Sequence, residues 1–371
     1  MSQDAYAGLR GLFAEAGHQP VTPAILQPAK VFLDLIGEDI RGRMYLTADA
    51  SGAEMCLRPD FTIPVCRAHL ERDDPAAPAR YSYCGPVFRQ RREGAGEFMQ
   101  AGVECLGRTD LEEADADILA LALEASAHLG VDDAAIHIGD EGLFRAVLDG
   151  LDCPPVWKRR LGDLFGERAR LDAALAAMAG PSETGTQDTG AEERGALADI
   201  LEGVDPARAQ AAVADLLRLA GSRPVAGRTA ADIAERMLEQ AMLAHHDAAT
   251  TRAAEIVTRY LAISGAPRAA ADEVERFAAD AGLDLTDALA RFTARLDKLE
   301  AHGLDLATLR FAADFGRRLD YYTGFVFEIH SASRASAGQI VGGGRYDRLL
   351  ALLGASTHIP ATGFSIWLDR I

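Results

Sequence analysis

The sequence predicts an α+β protein whose two strand-rich ends fold together around a helical insertion. Strand-like runs bounded by turn residues fall before residue 107 and return after Leu304. Between about Gly150 and Gly303 the composition turns to alanine, leucine, arginine and glutamate with helical periodicity. No repeat of fixed period is visible, which argues against a solenoid.

The first twenty residues read as a helix with Tyr6, Leu9 and Phe13 on one side, stopped near Gly17. Val21-Thr22-Pro23 reads as extended, because a residue before proline avoids the helical region. Residues 44–67 mix short strands with a turn at Ser51-Gly52, and Arg80–Cys84 and Phe98–Leu106 are strands around a loop at Arg91–Gly96. A helix follows, with capping-box spacing at Thr109/Glu112 or Asp110/Glu113 and one apolar face through Leu111, Ala114, Ile118, Leu121, Ala125 and Leu129, closed by Gly130. Pro181–Gly190 is polar and turn-rich and is expected to be mobile. Phe325–Ile329 alternates as a strand, Gly342–Gly344 reads as a tight turn, Arg345–Leu353 as a short helix and Phe364–Ile371 as the start of another.

The 49% apolar and 25% charged content is that of a soluble globular protein, and the net charge of -18 repels phosphate backbones. No stretch has the length of a membrane span or the form of a signal peptide, so a cytoplasmic protein without membrane contact is expected. The five cysteines lack C-x-x-C spacing and read as free core thiols. No metal-ligand spacing appears among the nine histidines, and His245-His246 reads as a surface pair on a helix. G-x-S-x-G, P-loop and dinucleotide-binding patterns are all absent.

Four stretches could carry ligand chemistry. In the strand Phe98–Leu106, Gln100, Gly102 and Glu104 share one face, an amide and a carboxylate flanking a glycine; a solvated sheet face is the equal alternative. Arg317 beside Tyr321 and Tyr322 offers a carboxylate-binding fork and two hydroxyls, although paired tyrosines more often simply pack. Asp60 and Thr62 could hold an ammonium group, or Asp60 could pair locally with Arg58. Gly342-Gly343-Gly344-Arg345-Tyr346-Asp347 permits close backbone approach.

Together these stretches resemble the class II histidyl-tRNA synthetases. Leu57–Thr62, Gly85–Arg89 with Phe98–Glu104, Arg317–Gly324 and Gly342–Asp347 occur in that family's order, and Phe364–Arg370 is similar to its third motif, ending in the arginine. The resemblance implies a class II synthetase-like antiparallel sheet flanked by helices, formed by residues 1–150 and 304–371, with 151–303 as a helical insertion. It also implies a homodimer and a pocket for L-histidine. By position, Asp60, Thr62 and Gln100 would hold the α-amino group, Glu104 and Tyr322 the imidazole, and Arg317 the carboxylate, with Tyr321 alongside.

Departures from the synthetase pattern shift the expected function. The second motif reads Phe88-Arg89-Gln90-Arg91, with a cation where a glutamate would accept from adenine. The distal loop is acidic rather than basic, and Asp60 replaces a longer glutamate. Ile371 directly follows Arg370, so no anticodon-binding domain is expected, and tRNA is not an expected partner. This combination is similar to the regulatory subunits of short-form ATP phosphoribosyltransferase, which implies a non-catalytic histidine sensor in histidine biosynthesis. The partner would be a separate catalytic subunit in a hetero-octamer, with no cofactor and no metal. Arg89 and Arg370, phosphate-facing in a synthetase, are either structural here or remnants of nucleotide binding. A minimal histidyl-tRNA synthetase or another histidine-adenylating enzyme is the rival.

Overall fold

The computed structural model describes residues 3–35, 38–92, 94–180, 247–317 and 321–371, with isolated positions between 208 and 243. The expectations for Pro181–Gly190 and for His245-His246 lie outside the described residues.

The chain divides into two compact units, residues 1–146 with 261–371, and residues 147–260. The larger unit is built on a nine-stranded, mostly antiparallel sheet. Its strands are β1 (Gln19–Pro20), β5 (Ala79–Phe88), β6 (Glu97–Leu106), β7 (Ala134–Asp140), β8 (Ser264–Gly265), β9 (Leu309–Ala312), β10 (Phe325–Ser331), β11 (Val341–Arg345) and β12 (Ala361–Trp367). They run in the order β1-β5-β6-β12-β11-β10-β7-β9-β8. A second sheet orders β2 (Leu26–Pro28), β4 (Glu54–Leu57) and β3 (Leu46–Ala48). Helices in this unit are α1 (Gln3–Glu15), α2 (Ala29–Leu35), α3 (Glu38–Arg41), α4 (Thr62–Leu70), α5 (Leu111–His128) and the first turns of α6 (Glu141–Gly150). The smaller unit takes the rest of α6, α7 (Pro155–Asp163), α8 (Arg168–Met178) and α9 (Ala248–Leu261). After it come α10 (Pro267–Ala281), α11 (Thr286–Ala301) and α12 (Leu349–Leu352).

The insertion is therefore shorter than expected. Residues 261–303 belong with the sheet, because α11 packs on α5 and α10 packs on β9. Helical periodicity alone could not show which sheet those helices cover.

The two chain ends meet in the centre of the sheet, where β12 pairs β6 antiparallel with Gly363 opposite Glu104 and Trp367 opposite Gln100. Helices α1 and α5 cover one face, with Phe13 edge-on to Phe364 at 5.9 Å between ring centroids. The α5 stripe is buried as the spacing predicts at Ala114, Ile118, Leu121 and Ala125. Each such aliphatic burial contributes roughly 1.5–3 kcal/mol for the larger side chains. Its capping box does not form: Asp110 makes no side-chain cap, and its carboxylate is engaged by Arg108. Gly130 closes the helix at φ 77°, a conformation glycine adopts without a Cβ penalty. The opposite face packs Phe32, Cys56, Ile63 and Cys66 against Tyr321, Tyr322 and Tyr346, which encloses the candidate site.

Three expectations near the C-terminus are corrected. Gly342–Gly344 is not a turn but the body of central strand β11, paired with β10 and β12. Its glycines admit neighbours that any Cβ would strike: at Gly343 a Cβ would lie 2.5 Å from the Phe327 ring and 2.6 Å from the Gly363 carbonyl. The helix expected from Arg345 shrinks to Leu349–Leu352, because Arg345 still belongs to the strand. Phe364–Ile371 is strand β12 followed by a short 3-10 turn. A central strand covered on both faces carries continuous rather than alternating apolar residues, and so imitates a buried helix.

Candidate functional site

The hairpin β5–β6 sets the site, with Tyr83 opposite Gly102 and Tyr81 opposite Glu104. Glu104 is 1% exposed and Gln100 2% exposed, so the polar row of β6 is not a solvated face. The space over Gly102 is filled by protein: a Cβ there would lie 2.5 Å from the Tyr83 hydroxyl and 2.1 Å from the Phe364 carbonyl.

Tyr83 donates to Glu104 Oε1 at 3.4 Å and to the Phe364 carbonyl at 3.2 Å. Tyr346 donates to Glu104 Oε2, and the Thr62 hydroxyl donates to the same carboxyl group. Burial pushes the Glu104 carboxyl up to about 8; these three hydroxyls pull it down, while the charge of Asp60 adds to the rise. At neutral pH the pocket therefore holds this group mostly as a neutral acid, able to share its proton with a basic ring nitrogen. Tyr83 is aimed by a stack: its ring lies 4.4 Å from that of Phe61, and the Arg58 guanidinium sits 3.9 Å from the Phe61 centroid. Arg58 donates to the carbonyls of Pro86 (2.9 Å) and Pro23 (2.6 Å), and so anchors this stack rather than pairing with Asp60.

Asp60 lies just before α4 and accepts from the Ile63 amide at 3.4 Å through Oδ1, while its Oδ2 is buried without a partner. Desolvation raises its pKa, and the nearby Arg89 guanidinium opposes the rise. Gln100 Oε1 and Arg317 Nε are likewise buried without partners. A buried polar atom left unpaired typically costs about 1–3 kcal/mol, a cost that a polar ligand reaching Asp60 Oδ2, Gln100 Oε1 or Arg317 Nε would relieve. Arg317 donates through Nη1 to the Phe327 carbonyl and to Glu328, both at 3.3 Å, and lies 5.6 Å from the Tyr322 ring centroid.

Desolvation first, then the charges of Asp60 and Glu104, raise the Tyr321 hydroxyl pKa. At Tyr322 desolvation again leads, with Arg317 opposing it and Glu104 adding to the rise. Thr62 turns to Glu104, and Tyr322 hydrogen-bonds with Arg317. The tyrosines on Glu104 itself are Tyr83 and Tyr346, which sequence reasoning missed. Tyr346 stands inside the quoted Gly342–Asp347 stretch, but its glycines drew the attention; Tyr83 needed the hairpin register to be seen.

Arg89 and Arg370 are held by the protein. Arg89 donates to the Pro59 carbonyl at 2.7 Å and lies 4.7 Å from the Trp367 ring centroid. Arg370 donates to the Gln339 carbonyl at 2.5 Å and lies 4.1 Å from the same ring. Carbonyl and aromatic contacts hold both. Arg91 pairs with Asp369 at 2.7 Å and stacks 4.0 Å from the Phe98 centroid. The one group with metal-ligand spacing among the described residues is Glu113, Asp117 and His302. Lys298, at 2.9 Å from Glu113, and Arg108, on Asp117, already engage it.

The sequence matches the histidyl-tRNA synthetase family over residues 2–241 and 226–371. A solved ATP phosphoribosyltransferase regulatory subunit/histidyl-tRNA synthetase from Bacillus halodurans superposes with TM-score 0.65 at 21% identity, over 99% of this chain and 77% of that one. A histidine–tRNA ligase subunit from Alicyclobacillus acidocaldarius gives 0.56 at 26% identity, over 99% and 90%. An ATP phosphoribosyltransferase regulatory subunit from Mesorhizobium japonicum is 45% identical over 98% of this chain and 95% of its own length. Its counterpart from Brucella canis is 44% identical over 94% and 90%. The chain thus carries the class II synthetase-like fold and belongs to the family of ATP phosphoribosyltransferase regulatory subunits.

Proposed function

We infer that this chain is the regulatory subunit of a short-form ATP phosphoribosyltransferase, acting in the cytoplasm in the first step of histidine biosynthesis. It is non-catalytic, is needed by a separate catalytic subunit, and senses L-histidine as the feedback signal. The observation that carries the reading is the set of buried, unpartnered polar atoms on Asp60, Gln100 and Arg317 around a proton-holding Glu104. An α-ammonium group suits Asp60 Oδ2 and Gln100 Oε1, a carboxylate suits Arg317 Nε, and an imidazole suits Glu104 with Tyr346. Arg91, tied to Asp369, stands where a synthetase needs an acceptor for adenine, which favours sensing over adenylation.

Regulation requires histidine to favour one assembly state over another; couplings of about 1–3 kcal/mol are typical and give roughly 5- to 150-fold modulation. A homodimer of this chain within a hetero-octamer is the assembly we expect. The test measures phosphoribosyl transfer by the purified catalytic subunit alone, with this chain, and with this chain plus histidine. Activation by the chain and inhibition by histidine are expected. An unchanged rate, or histidine-dependent exchange of pyrophosphate into ATP by this chain alone, overturns the reading.

A further inference from the structure

We propose that Glu328 is the positioning residue for Arg317 and thereby sets the pocket's selectivity for a ligand bearing a carboxylate. The proposal rests on the histidine-pocket reading. Three observations carry it. Glu328 Oε1 accepts from Arg317 Nη1 at 3.3 Å, and the backbone carbonyl of Phe327 takes the same nitrogen at 3.3 Å. Arg317 Nε meanwhile stays buried without a partner. Tyr322 also hydrogen-bonds with Arg317, so the guanidinium is held by Tyr322, Phe327 and Glu328 while its Nε is left to a guest. Glu328 itself is fixed from its other oxygen, which lies 3.0 Å from His330 Nε2. Finally, Gly342 stands opposite Glu328 in the ladder, and a Cβ at Gly342 would fall 1.6 Å from Arg317 Nη1. The guanidinium therefore lies against β11 at a glycine, where any side chain would displace it.

A pinned arginine fork recognises a planar carboxylate by geometry as well as charge. Freed from Glu328, the cation would remain in the pocket but lose its orientation. L-Histidinol separates the two effects, since it keeps the imidazole and the amine and replaces the carboxylate with a hydroxymethyl group.

The experiment titrates L-histidine and L-histidinol into the full chain by calorimetry, for the unaltered protein, Glu328→Gln and Gly342→Ala. Glu328→Gln should weaken histidine by roughly tenfold and leave histidinol within about twofold, the scale of one charge-assisted hydrogen bond. Gly342→Ala should do the same by displacing the guanidinium without altering charge. Each comparison is made within one sample, so partial unfolding lowers the stoichiometry and leaves the ratio of affinities readable. Equal losses for both ligands, or an unchanged ratio in both variants, overturn the proposal. An unaltered chain that binds histidine no better than histidinol also overturns it. No histidine binding by the unaltered chain instead sinks the pocket reading itself.

Discussion

Replacing Glu104 by glutamine tests the electrostatics of the pocket directly. The folded protein holds this carboxyl up to about 8 by burial, against 4.5 as its ordinary value. Between those two values the folded state keeps a proton that the unfolded chain has released. Folding then takes up a proton, so stability falls as pH rises through the window, and below the ordinary value the group contributes no pH dependence. At about 1.36 kcal/mol per unit, a gap of about 3.5 units sets a ceiling near 5 kcal/mol; water entry and relaxation bring the expected loss to about 2–3 kcal/mol. The amide mimics the neutral acid for Tyr83, Tyr346 and Thr62, so Glu104→Gln should match the unaltered protein at pH 5 and exceed it at pH 8.5 by that amount. Urea unfolding at pH 5, 7 and 8.5 reads the difference. Parallel stability profiles for the two proteins would refute a proton-holding Glu104. A proton passed from Glu104 to the ring nitrogen would make a charged pair that the amide cannot form, so the same variant should weaken histidine by about 1–3 kcal/mol; an unchanged affinity places the ligand elsewhere.

Asp115 on α5 is fully buried and pairs with Arg295 at 2.8 Å and with Arg345 at 2.8 Å, so Asp115→Ala removes the carboxylate these two buried cations share and leaves Arg295 to Asp140 and Arg345 to Asp347. We expect a loss of about 3–5 kcal/mol in urea unfolding, and a change under about 1 kcal/mol would contradict it. Gly363→Ala puts a Cβ 2.0 Å from Glu104 Oε2 and 2.5 Å from the Val103 carbonyl. It should destabilise by about 1–3 kcal/mol and lower histidine affinity together, read by melting and calorimetry. Tyr346→Phe removes a hydroxyl that lowers the Glu104 pKa, so it should steepen the fall in stability with pH; a flatter profile would show that the hydroxyl does not reach Glu104. Arg91→Ala breaks a half-exposed pair and should cost under about 1 kcal/mol, with a larger loss in urea unfolding refuting a peripheral role.

Local sequence determined much of this protein. Gly130 and Ser51-Gly52 closed elements where expected, with Asp49 Oδ1 accepting from the Ser51 amide at 2.8 Å in the second case. The period of α5 and the face shared by Gln100 and Glu104 follow from chain geometry, which depends only on neighbours in sequence. What only the tertiary structure decided is everything that needs two distant segments at once. Strand β12 looks helical until sheet neighbours cover both its faces, and Gly342 looks like a turn until Arg317 lies across it. The hydroxyls on Glu104 come from residues 62, 83 and 346, and no spacing in the chain announces that they meet. Burial of that carboxyl, and hence its retained proton, is a property of the packed interior rather than of any residue type.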